Sequence, residues 1–206
     1  MEVTEIRSIP FPQCPHPPVR QSFMFDLQGL NIYLIGMMGC GKSTIGPLIA
    51  AQLGYSFLDT DLTIEKLVSQ NIAEVFQTVG EPEFRKIETQ VLAEVSAHIR
   101  LVVATGGGIP IDRENWNHLH QGLVIWLDPS IDILVERLQD DTTRPLLAAA
   151  ADLQTKLAQI LTTRRHRYAE ADLHIPIERH FTPAEIVDRI LAAIPTVLKT
   201  PTTIPD

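Results

Sequence analysis

The chain has 206 residues, 45% of them apolar, and a formal net charge of −8; this is material for one full-sized domain with a complete core. An acidic surface repels DNA and RNA at long range, so no nucleic-acid partner is expected, although a few arginines in a cleft can still attract a small anion. No apolar run reaches the ~18 residues that cross a bilayer, so no membrane partner is expected either.

In chain order, the opening "MEVTEIRSIPFPQCPHPPVRQ" lacks the apolar stretch of a secretory signal, and its acidic residues argue against a transit peptide. Residues 1–28 read as a flexible, Pro-rich arm, residues 29–196 as the folded domain, and residues 197–206 as a frayed tail. Cys14 and Cys40 belong to no metal-like CxxC cluster. That usage suits a reduced, cytoplasmic setting.

Short apolar runs then alternate with longer helical ones, the pattern of a parallel sheet wrapped by helices. The expected strands are "NIYLIG", "YSFLD", "LVVAT", "LVIWL" and "LHIPI", nearly continuous apolar runs that suit a sheet covered on both faces. A first helix, "GKSTIGPLIAAQLG", should end on a left-handed Gly54, and Pro47 is tolerable if the helix begins near Lys42. A second, "EPEFRKIETQVLAEVSAHI", has Pro82 in its first turn and Phe84, Ile87, Val91 and Val95 at helical spacing. The last, "TPAEIVDRILAAI", opens with a capping box of Thr182 and Glu185, with Pro183 at the first position. Between helices, "QDDTTRPLLAAAA" is polar and Pro-interrupted and reads as a mobile lid at about residues 138–152.

The chemistry begins at Gly36, followed after four residues by Gly41-Lys42-Ser43, the G-x-x-x-x-G-K-[ST] pattern. Its glycines let successive amides point inward as an anion nest, and the following helix adds its positive end. Lys42 would bridge the β- and γ-phosphates of a nucleotide, and Ser43 would offer a hydroxyl to Mg²⁺. The pattern does not name the acceptor.

Asp59 and Asp61 emerge at the C-terminal end of a strand, the ligand edge of an open parallel sheet. The bland alternative makes Asp61 a helix N-cap and Asp59 a turn residue. Beside a phosphate site, however, one carboxylate can hold Mg²⁺ through water while the other deprotonates a hydroxyl. Arg85 has Glu81 and Glu88 within helical reach. Arg164, Arg165 and Arg167 crowd into "TTRRHRY", where a solvated basic face is the simpler account. Gly106, Gly107 and Gly108 directly follow a strand and suggest close approach by a ligand or another backbone.

Together "GMMGCGKST", "DTD", "GEPEFRKIE", "GGG", "RPLL" and an Arg-rich helix before the last strand resemble the shikimate kinase family, over roughly Asn31 to Ile194. The resemblance implies an α/β fold, the P-loop three-layer α/β/α arrangement of nucleoside monophosphate kinase-like proteins, with a five-stranded parallel sheet in the order 2-3-1-4-5 and a mobile lid. It also implies transfer of the γ-phosphoryl group of ATP to the 3-hydroxyl of shikimate, on the route to chorismate and aromatic amino acids. Gly39, Cys40, Gly41, Lys42, Ser43 and Thr44 would cradle ATP, with Ser43 on Mg²⁺ and Asp59 behind it. Asp61 would hold the shikimate hydroxyls and act as base. Arg85, oriented by Glu88, and Arg164 would grip the carboxylate, with Gly106, Gly107 and Gly108 along the ring. Arg144 would meet the phosphates from the lid, and Arg137 and Pro183 would flank the adenine. A monomer is expected. The sequence departs from the family pattern at Cys40, at Pro47, in "RRHRYAEAD", where the choice of Arg164 over Arg165 rests on register, and in "ERHFTP". A kinase of the same scaffold acting on gluconate or a nucleotide, and a non-catalytic binding protein, are the competing readings.

Overall fold

The computed structural model describes residues 27–139 and 152–198. The strands are β1 (Ile32–Ile35), β2 (Ser56–Asp59), β3 (Leu101–Ala104), β4 (Leu123–Pro129) and β5 (Leu173–Ile177). All pair in parallel, in the order β2-β3-β1-β4-β5. Every residue of β1 and β3 is buried, as the unbroken apolar runs require of strands covered on both faces. β4 runs two residues beyond the expected stretch, because Asp128 and Pro129 stay in register with Pro176 and Ile177 of β5.

The helices are α1 (Lys42–Leu53), α2 (Thr60–Val68), α3 (Ile72–Ser96), α4 (Trp116–Leu119), α5 (Ile131–Leu138), α6 (Leu153–Tyr168) and α7 (Pro183–Ala193), with short 3-10 turns at Ile109–Ile111 and Ile194–Thr196. α1 packs over β2 and β3 and against α7, and α5 packs against α6. Gly54 closes α1 at a φ of 67°, and the Thr182–Glu185 capping box opens α7, both as the sequence led us to expect.

Two local readings are corrected. The helix expected from Glu81 begins earlier, at Ile72, under a capping box formed by Asn71 and Glu74, and breaks at Gly80, whose φ is 77° and ψ 166°. A glycine of positive φ, two residues before a proline that lacks an N–H, accounts for the interruption. The cap of α2 is Asp59, whose carboxylate accepts from the amides of Asp61 and Leu62, and Asp61 lies in the first turn. Of the two tails, Leu27, Gln28, Val197 and Leu198 are described; Leu27 is buried, and Leu198 packs against the core. Most of the expected lid lies outside the described residues.

From β1 the chain crosses one way to β2 and later the other way to β4. The crevice at the carboxyl end of β1 is therefore a topological switch point, where ligands bind open α/β sheets.

Candidate active site

At that crevice the loop from β1 to α1 turns on glycines of positive φ at Gly36, Gly39 and Gly41. At Gly36 a Cβ would stand 2.5 Å from the carbonyl oxygen of Leu127 and 3.1 Å from Cys40 Sγ, so only glycine fits. The N-cap of α1 is Gly41 and makes no side-chain cap bond, so no side chain closes off the first amides of the helix. This is the local geometry that receives an anion. The Lys42 ammonium lies over the loop, donating to the carbonyls of Gly36 at 3.0 Å and Met37 at 3.1 Å, with the buried Cys40 Sγ at 3.5 Å.

Ser43 Oγ donates to Asp59 Oδ2 at 2.6 Å. The other Asp59 oxygen is fixed by the amides of α2, so the capping bonds hold the carboxylate toward the loop. Among the described residues no cluster of three or more His, Cys, Asp or Glu side chains could hold a metal. One hydroxyl and one carboxylate fit a hard cation that keeps several waters and takes its remaining oxygens from phosphate, which is the habit of Mg²⁺.

The loop, Asp59 and Asp61 line a cleft of about 420 Å³, whose walls continue through Thr105, Gly107 and Arg137 to Phe181 and Pro183. Gly39, Cys40, Gly41, Lys42, Ser43 and Thr44 all contribute to it. Arg137 donates to the Gly39 carbonyl at 3.0 Å.

A smaller pocket of about 80 Å³ adjoins it, lined by Arg85, Glu88, Gly108 and Arg164 together with Met38, Asp61 and Gly107, which line the large cleft as well. Arg85 donates to Glu88 at 2.5 Å and to Glu81 at 2.9 Å. Burial works against its charge, but the two glutamates together hold its pKa above the ordinary arginine value. Glu88 is only 2% exposed. Its burial pushes the carboxyl up to about 7, Arg85 pulling against the shift. Arg164 donates to the Gly107 carbonyl at 3.1 Å, whereas Arg165 reaches Asp128 at 3.4 Å and lies over the Trp126 ring, 5.1 Å from its centroid. The two arginines thus point to different places, and Arg164 is the one in the pocket.

The triple glycine makes room for side chains of the pocket itself. A Cβ on Gly106 would stand 2.6 Å from both Asp61 Oδ1 and Glu88 Oε1, and one on Gly108 would overlap the Arg85 guanidinium. What approaches the backbone is the pocket's own charged side chains. Gly106 N is already committed, donating to the buried Thr60 hydroxyl at 2.7 Å.

Sequence reading missed the apolar floor of the pocket, formed by Met38, Ile72, Phe76 and Phe84. Phe76 and Phe84 meet edge to face at 5.5 Å. The available signal was the ring of aliphatic and aromatic residues on either side of Gly80, which reads as core when Phe84 is taken alone. Arg144 lies outside the described residues.

The family model described as shikimate kinase matches residues 38–195. A shikimate kinase of Rippkaea orientalis is 57% identical over 173 residues, covering 84% of this chain and 92% of the relative. One of Nostoc punctiforme is 51% identical over 173 residues, covering 84% and 95%. The solved structure of a shikimate kinase from Acinetobacter baumannii in complex with shikimate superposes with a TM-score of 0.76 at 36% identity, covering 82% of this chain and 95% of that one. With the crevice and its two pockets formed by residues inside the matched span, the chain belongs to the shikimate kinase family.

Proposed function

We propose that the chain transfers the γ-phosphoryl group of ATP to the 3-hydroxyl of shikimate, giving shikimate 3-phosphate and ADP on the route to aromatic amino acids. The observation that carries this reading is the position of Asp61, which lines both the P-loop cleft and the pocket of Arg85 and Arg164. A carboxylate at that junction can face a hydroxyl on one side and a terminal phosphate on the other. The shikimate-bound relative supports the choice of acceptor.

On this reading the amides of Gly39 to Thr44 and the Lys42 ammonium bind the phosphates. Ser43 and Asp59 would hold Mg²⁺, which would supply positive charge against the phosphate oxygens. Arg85 and Arg164 fix the acceptor's carboxylate by charge-assisted hydrogen bonds, and Glu88 keeps Arg85 in that orientation. Asp61 aligns the 3-hydroxyl and takes its proton as the new P–O bond forms and the bond to the ADP leaving group breaks. Gly106, Gly107 and Gly108 leave room for these side chains beside the ring. Arg137 and Pro183 flank the adenine.

A coupled assay of ADP release with Mg·ATP tests the assignment. Shikimate should support turnover and gluconate or AMP should not. Equal or greater turnover with either of the latter would replace shikimate as the acceptor.

A further inference from the structure

Arg164 and Tyr168 stand four residues apart near the end of α6 and therefore share one face of it. Arg165 lies on another face, with Asp128 and the Trp126 ring. The Gly107 carbonyl takes one nitrogen of the Arg164 guanidinium. A guanidinium carries five N–H groups on a long stem, so a single carbonyl leaves its orientation underdetermined.

Tyr168 is fully buried, at 0% exposure. Its ring packs beside that of Trp126, centroids 5.9 Å apart. Phenylalanine would fill the same space, so packing does not account for the oxygen. A hydroxyl taken out of water costs stability unless it is paired. Its proton goes to Met37 Sδ at 3.9 Å, a weak acceptor. Met37 is itself buried, and its carbonyl takes the Lys42 ammonium at 3.1 Å, so the oxygen is anchored against the P-loop. The Arg164 guanidinium faces the same oxygen, as a nearby positive charge and as a hydrogen-bond donor. Burial pushes the phenol above its ordinary pKa, with Arg164 pulling against the shift. The group therefore stays neutral, donating to sulfur and accepting from arginine.

We propose that the Tyr168 hydroxyl, anchored on Met37, holds the Arg164 guanidinium in the pocket, so that the acceptor's carboxylate meets an arginine already aimed at it. Tyr168 touches neither substrate and is a positioning residue. The proposal deepens the reading of this pocket as the shikimate site and rests on it. An arginine fixed before binding loses less freedom when the carboxylate arrives, and that saving is the hydroxyl's contribution.

The test is steady-state ADP release by the full chain, with shikimate and Mg·ATP varied in turn, together with thermal melting. Tyr168→Phe keeps the ring and removes the oxygen. It should raise KM for shikimate about fivefold and leave kcat within about twofold, because the carboxylate is held alike in the ground and transition states. KM for ATP should stay within about twofold. The melting temperature should stay within about 2 °C of wild type or rise, since a buried hydroxyl has been removed along with its partner bonds. In an Arg164→Met background, where kcat/KM for shikimate is the readout, Tyr168→Phe should add less than about twofold. An unaltered KM for shikimate in Tyr168→Phe overturns the role. The same loss in the Arg164→Met background shows that Tyr168 acts elsewhere and overturns it too. An equal loss for ATP, or a larger fall in melting temperature, makes the hydroxyl a support of the fold and is equally contrary. If the wild-type chain does not turn over shikimate at all, the acceptor assignment fails first, and this role with it.

Discussion

Asp61 lies in the first turn of a helix that a different aspartate caps, and it lines both the P-loop cleft and the pocket of Arg85 and Arg164. Replacing it with asparagine should keep the fold and its melting temperature while nearly abolishing phosphoryl transfer, because an amide cannot take the hydroxyl proton. Near-normal turnover in steady-state assays would remove Asp61 from the chemistry. Glu88 gives a prediction about pH. Its ordinary value of 4.5 is raised by burial to about 7 in the fold, so across that window the native state holds a proton that the unfolded chain releases. The stability this confers is fully present below pH 4.5 and is lost as the pH rises through 7. Denaturant unfolding at pH 5 and pH 8 should therefore show the wild type losing on the order of 1–3 kcal/mol relative to Glu88→Gln. A difference that is flat, or that grows in favour of the wild type, would contradict the burial argument.

At the scale of elements, Gly46 shows how closely α1 sits on the sheet. A Cβ there would run into the Phe57 ring on β2, its Cδ2 lying 2.8 Å away. Alanine in a helix gains up to ~1 kcal/mol over glycine, but overpacking costs roughly 1–3 kcal/mol. Gly46→Ala should therefore lower stability by about 1 kcal/mol in thermal or denaturant unfolding, the clash outweighing propensity. A raised melting point would mean that Phe57 yields freely. The sequence was informative where one local rule decides the outcome: five apolar runs became five parallel strands, Gly54 ended its helix, and the Thr182 box opened the last one. It misled where the deciding contact is distant in the chain. Nothing near Gly106 or Gly108 says that Asp61, Glu88 and Arg85 fold back against them. Ile72 and Phe76 look like core until the turn at Gly80 sets them around a pocket. The capping role of Asp59 was hidden because two aspartates one residue apart are interchangeable by pattern, and backbone geometry alone chooses between them.

Over the whole molecule, the sheet order puts the two halves of the chemistry side by side. β1 delivers the phosphate loop, β2 delivers both aspartates, and β3 delivers the glycines that admit Arg85 and Arg164 from α3 and α6. The acidic surface does not prevent an anionic acceptor from binding, because these arginines lie in the pocket, one clamped by Glu81 and Glu88 and the other by a backbone carbonyl. The claim that most needs testing is that this cationic fork holds the acceptor's carboxylate and takes no part in holding the nucleotide. Isothermal titration of Arg85→Ala with shikimate and, separately, with Mg·ATP measures it directly. Shikimate binding should weaken by about 1.5–3 kcal/mol, the loss of a charge-assisted contact, while ATP affinity stays at its wild-type value. Unaltered shikimate affinity, or an equal loss for ATP, would contradict the account.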